Sequence, residues 1–264
     1  MNTVSGTVCH IPTHTAGTVV FHGNTFSSIP TPPQRNRTAD AVFDFLERRG
    51  VISYDMTEGE FLRAFGKLLW GVFLTFLMIA ETASGKIGQS LAVFGQITPL
   101  MLLQNLGIIV LVVLAWAALA QIPGMGFTWL MIFDRESEGA NINVAPASIP
   151  WLGILFSALL FINLPTFVLI EERMFRMGVV EWPDAIKWAL IFGLVHCLVG
   201  VPLAVGFALT IGGLWFQYQC FEGGVTLSTI HHTAYNAILV GLGLLIAVAK
   251  LFVKPDTETD PVAG

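Results

Sequence analysis

IPWLGILFSALLFINLPTFVLI, residues 149–170, runs without a charge and then stops at Glu171-Glu172, with Arg173 and Arg176 directly behind. A helix needs about 20 apolar residues to cross the hydrocarbon layer of a bilayer. This stretch is long enough, and two carboxylates at its end are costly in such surroundings unless they meet a partner, a cavity or a reaction. Outward from it, the same poverty of charge recurs. Residues 87–133 carry none, 188–221 only His196, and 223–249 only His231 and His232.

The whole chain agrees with this local reading. It is 54% hydrophobic and 12% charged, whereas a soluble chain carries about 25% charged residues. Mean hydropathy is +0.72 and the sequence pI about 5.6. The net charge of −5 gives no sign of nucleic-acid binding, which usually needs a concentrated basic face. Cys9, Cys197 and Cys220 are too few and too scattered for a disulfide framework or a zinc knuckle. The first residues lack the basic start and apolar run of a secretory signal.

The expected fold is therefore all-α, a polytopic transmembrane helical bundle of six to seven spans. Spans are placed near 64–82, 94–121, 149–170 and beyond, 184–200, 202–220 and 226–252. The short apolar stretch 124–133 is either a half-span or a re-entrant piece, and it leaves the count and the orientation open. Residues 1–60 read as a polar, partly disordered tail, with a short amphipathic helix over 38–49 presenting Val42, Phe43 and Leu46. Thr57 and Glu60 have capping-box spacing. Residues 61–148 hold the N-terminal spans, 149–252 a membrane domain carrying the polar groups, and 253–264 a polar tail.

Within the apolar helices, three polar groups need an explanation: Glu171 and Glu172 with Arg176, His196, and His231-His232 with Asn236. Glu172 and Arg176 are four apart and share a helix face, as do His232 and Asn236, and Phe192 and His196. If one helix runs to Val180 and the chain turns at Glu181-Trp182-Pro183, Glu171 lies about 13 Å below that turn and His196 about 18 Å. A second turn over 221–225 places His232 about 10 Å deep on the same side. Helices packed side by side would then bring the three groups together.

A secluded carboxylate and imidazole can jointly deprotonate water, and a second histidine with an asparagine can donate to a developing oxyanion. A zinc triad of Glu171, His196 and His232 is the chemical rival. It lacks HExxH and any pair of histidines at i, i+4, and no cofactor is expected. A structural ion-pair cluster at a helix end is the plain alternative for Glu171, Glu172 and Arg176. His231, without an asparagine four residues on, is expected to point elsewhere or to stand behind the site.

EERMFR (171–176), FGLVH (192–196) and HTAYN (232–236) resemble, in order, the EExxxR, FxxxH and HxxxN motifs of the CAAX prenyl endopeptidase and Abi family of intramembrane proteases. The resemblance covers roughly residues 149–250. It departs from the family in one place, since Met177 precedes Gly178 where a glycine commonly follows the motif arginine.

The resemblance implies a metal-free, glutamate-dependent peptidase of a multi-pass membrane protein, placed in a prokaryotic cell membrane. Glu171 would be the general base and His196 would help activate the water. His232 and Asn236 would stabilise the tetrahedral intermediate, and Glu172 and Arg176 would shape the site. The implied partners are a peptide or lipidated protein substrate and the lipid bilayer. Two other classes stand beside it: a catalytically silent membrane scaffold or immunity factor of the same fold, and a small transporter using the carboxylates as a proton relay.

Overall fold

The computed structural model describes residues 20–21, 24–25, 37–48, 58–132, 150–250 and 252. Two contact units divide the chain after Arg48. In the first, Val20–Phe21 pairs antiparallel with Asn24–Thr25, and helix α1 spans Arg37–Arg48. The paired strands lie where an unordered tail is expected. Helix α1 meets the expected amphipathic segment, although the side chains of Val42 and Phe43 lie outside the described residues, as does Thr57 of the capping box.

The second unit is helical: α2 Glu58–Ala83, α3 Ile87–Phe94, α4 Pro99–Leu119, α5 Pro150–Phe175, α6 Trp182–Val195 and α7 Leu203–Lys250. Five helices are long and apolar enough to cross a membrane. Helix α2 already begins at Glu58, so residues 58–60 belong to the helical unit and not to the tail. Glu81 lies in the last turn of α2 and pairs with Lys86 at 2.8 Å.

Helix α7 is the hub, with α4, α5 and α6 all packed on it. Its 48 residues would reach about 70 Å if straight, more than twice a hydrocarbon layer of about 30 Å. They do not run straight. Gly223 (φ −147°, ψ 21°) and Gly224 (φ 71°, ψ −175°) break the helix, the latter in a region that essentially only glycine occupies. The Ser228 hydroxyl then reaches the Phe216 carbonyl at 2.8 Å, and the Phe216 and Tyr235 rings lie 5.5 Å apart. Helix α7 is thus a hairpin, with its turn inside the expected 221–225.

Three expected boundaries move. The span 94–121 is split, because Thr98 caps α4 by accepting the Met101 N–H at 3.2 Å and Pro99 opens the new helix. Helix α5 stops at Phe175 rather than Val180, and Gly178 (φ 87°) turns the chain there. Helix α6 starts at Trp182, with Pro183 in its first turn, and ends at Val195 instead of 200. It gives way to a 3₁₀ turn His196–Val199 and a left-handed Gly200.

In the stretch expected as a half-span or re-entrant piece, the described residues 124–132 cap that junction. Leu203 N–H donates to the Phe127 carbonyl at 3.0 Å and Ala204 N–H to that of Met125 at 2.8 Å. Thr128 Oγ1 donates to the Gly200 carbonyl at 2.9 Å.

Small residues set how closely α6 meets α7. A Cβ on Gly193 would lie 2.2 Å from the Gly206 carbonyl oxygen, and one on Gly213 would lie 3.1 Å from Ala189. Such contacts are how helices approach in a bilayer, where apolar burial alone gives little preference. Gly243 serves no such approach, since no atom lies within 4 Å of a Cβ built there.

Candidate active site

The break in α7 and the short α6 together make a cavity. Glu171 from α5, His196 from the 3₁₀ turn, and His232 and Asn236 from the second arm of α7 all line it. Its volume is about 360 Å³, within the range of about 300–1,000 Å³ typical of ligand pockets. The remaining wall is apolar, with Leu160, Leu164, Leu209, Leu239 and Val240 among its residues.

His232 is the centre of the polar end. Its Nδ1 lies 2.8 Å from Glu172 Oε1 and its Nε2 3.5 Å from Glu171 Oε2. The imidazole is stacked on Phe216, with ring centroids 4.2 Å apart. An ionised carboxylate only accepts, so His232 Nδ1 turns its hydrogen to Glu172, which fixes the ring's rotation and leaves Nε2 facing Glu171. The two glutamates differ in exposure. The Glu171 side chain is 37% exposed and faces the cavity, whereas Glu172 is fully buried behind it.

Glu172 is held from several directions. Ser228 Oγ donates to Oε2, and Arg176 Nε lies 3.5 Å from the same oxygen. The Arg176 side chain is 1% exposed. Its two terminal nitrogens have no hydrogen-bond partner among the described residues, but the guanidinium carbon sits 4.3 Å from the Phe192 ring centroid and 5.7 Å from those of Phe175 and Phe216. A desolvated cation over an aromatic face gains about 2 kcal/mol. Three rings thus take the place of the acceptors that an apolar interior lacks.

His196 Nδ1 lies 2.7 Å from the carbonyl of Phe192. A carbonyl only accepts, so Nδ1 carries the hydrogen and the lone pair is on Nε2. Phe192 therefore does two things at once: its backbone sets the His196 tautomer and its ring shelters Arg176. This explains in physical terms why a phenylalanine four residues before the histidine is useful.

Four of the six sequence-expected residues thus meet at one cavity, and Glu172 and Arg176 form the layer behind it. Ser228 was missed. Its signal was the i, i+4 spacing to His232, which puts both side chains on the face that meets Glu172. His231 points away from the cavity to α4, where its Nδ1 lies 3.4 Å from Asn105 Nδ2. Trp215 and Trp188 pack against the Phe175–Phe192–Phe216–Tyr235 core, and Trp215 also donates to Asn105.

Among the described residues, no three His, Cys, Asp or Glu side chains are grouped to hold a metal ion. Compared with protein-family models, with curated proteins and with solved structures, the chain matches none.

Proposed function

We propose that this protein is a membrane-embedded endopeptidase that cleaves a membrane-associated or lipidated peptide with a glutamate- and histidine-activated water. The observation that carries the reading is the convergence of Glu171, His196, His232 and Asn236 on one cavity, with His232 between two carboxylates. In this reading the two arms of α7 cross the bilayer separately, giving six crossings. Helices α5, α6 and the α7 hairpin form the catalytic core.

The chemistry follows from the donors and acceptors in place. Water enters between Glu171 and His196. Glu171 takes a proton from it while His196 Nε2 accepts its second hydrogen bond. The water oxygen bonds to the scissile carbonyl carbon, and the resulting oxyanion receives hydrogen bonds from His232 Nε2 and the Asn236 amide. The proton held by Glu171 passes to the departing amine nitrogen as the C–N bond breaks. Glu172, Ser228 and Arg176 hold His232 in register and do not touch the substrate. The apolar remainder of the cavity supports an apolar or lipid-bearing peptide as substrate.

The test is comparative peptidomics of membranes containing the wild type or the Glu171→Ala variant. Peptides that accumulate uncut with the variant identify activity and substrate together. Identical peptide profiles would leave a catalytically silent scaffold of the same architecture as the better reading.

A further inference from the structure

The α4 side of the α7 hairpin carries a second buried polar group that the proposed chemistry does not use. Asn105 is fully buried in the middle of α4, a helix that contributes no side chain to the cavity. Its three contacts fix one another. The indole N–H of Trp215 can only donate, and it meets Asn105 Oδ1 at 3.2 Å, which settles the orientation of the amide. The amide nitrogen then donates to the Met101 carbonyl at 2.8 Å and faces His231 Nδ1 at 3.4 Å. An amide NH₂ cannot accept, so His231 Nδ1 accepts and the ring hydrogen is on Nε2.

Trp215 belongs to the first arm of the hairpin and His231 to the second. Each is the sequence neighbour of one half of the Phe216–His232 stack. The Trp215 and His231 rings also meet edge to face at 5.6 Å. One amide from α4 therefore pins both arms at the level where Phe216 lies on His232.

We infer that Asn105 is a positioning residue for His232, acting through Trp215 and His231 to hold the two arms of the hairpin in register. The catalytic part of this inference rests on the peptidase reading; the positioning part does not. A group misplaced by about 1 Å can lose roughly 100-fold in rate, so a small slip between the arms would suffice to disable the site.

The experiment is NMR of the full-length protein with labelled histidines in bicelles, following the ring signals of His231, His232 and His196. Asn105→Ala is compared with Asn163→Ala. Asn163 is another buried amide, and its hydrogen bonds run to Thr82 Oγ1 at 2.6 Å and to the Leu159 carbonyl at 2.8 Å, joining α5 to α2. Asn105→Ala should shift and broaden the His232 ring signals, and Asn163→Ala should leave them in place. Should Asn105→Ala fail to fold, Trp215→Phe keeps the ring but removes one bond, and it should move the same signals by less.

An unchanged His232 signal in a folded Asn105→Ala or Trp215→Phe variant overturns the inference. So does an equal shift from Asn163→Ala, which would mean general loosening. Peptide cleavage is scored in parallel, with kcat falling about 100-fold and KM held. A wild type that cuts nothing, with the His232 shift still present, would remove the peptidase reading and keep the positioning role.

Discussion

His231 and His232 are neighbours in sequence and sit in unlike surroundings. Successive residues on a helix point about 100° apart, so the second arm of α7 turns one imidazole to the cavity and the other to α4. On the cavity side, His232 meets two carboxylates, with an arginine behind one of them. On the α4 side, the partners of His231 among the described residues are neutral, an amide and an indole. The cavity side is built for charge and the α4 side for register. A low-dielectric interior makes both costly to leave unpaired, but the charged side is the more expensive of the two to disturb.

Substitutions can test that contrast. The largest loss of stability is expected from Glu172→Ala, which leaves the buried Arg176 without its anion; about 3–5 kcal/mol is the usual cost of breaking such a pair. Reversible unfolding in detergent would measure it, and a loss below about 1 kcal/mol would mean that the aromatic rings alone suffice for Arg176. Ser228→Ala removes one hydrogen bond to the same carboxylate and should cost about 1.5–3 kcal/mol by the same measurement.

On the neutral side, Asn105→Ala strands the Trp215 N–H and should cost about 1–3 kcal/mol. If it proves as damaging as Glu172→Ala, the two faces are not different in kind. The smallest effect on stability belongs to Glu171→Gln, since that side chain is partly exposed. The thermal midpoint should change by no more than about 0.5 kcal/mol would shift it, while peptide cleavage is lost. A variant that cleaves normally would remove Glu171 from the proposed chemistry.

Much of the cavity side was legible because it obeys helical spacing. Glu172 and Arg176, and Phe192 and His196, are each four apart, and each spacing corresponds to a contact in the structure; Ser228 stands at the same spacing from His232, but a lone serine does not stand out in an apolar helix. Charge scarcity made the pairs conspicuous. Asn105 was not legible for the opposite reason: a neutral amide next to Gln104 inside LLQNLGII pairs within its own helix only through the Met101 carbonyl, among the described residues. Its meaning lies in residues more than a hundred positions away.

Boundaries failed where hydropathy outvoted capping. Thr98-Pro99 is a good helix start, but it sits inside a long uncharged run, and the run concealed it. Gly193 and Gly206 gave no signal because close approach depends on which glycines face each other across two helices.

The Gly223–Gly224 reversal also sets an order of assembly. It brings Ser228 to Phe216 across only 12 positions, whereas Glu172 reaches His232 across 60. Contacts between near neighbours in sequence form sooner, because less chain must be drawn in to close them. The hairpin can thus present its histidine and its serine as a ready-made receptor, onto which the carboxylates of α5 then dock. A mutation that stiffens or lengthens this turn would be felt first as a delay in the site's maturation, before any change in the finished protein.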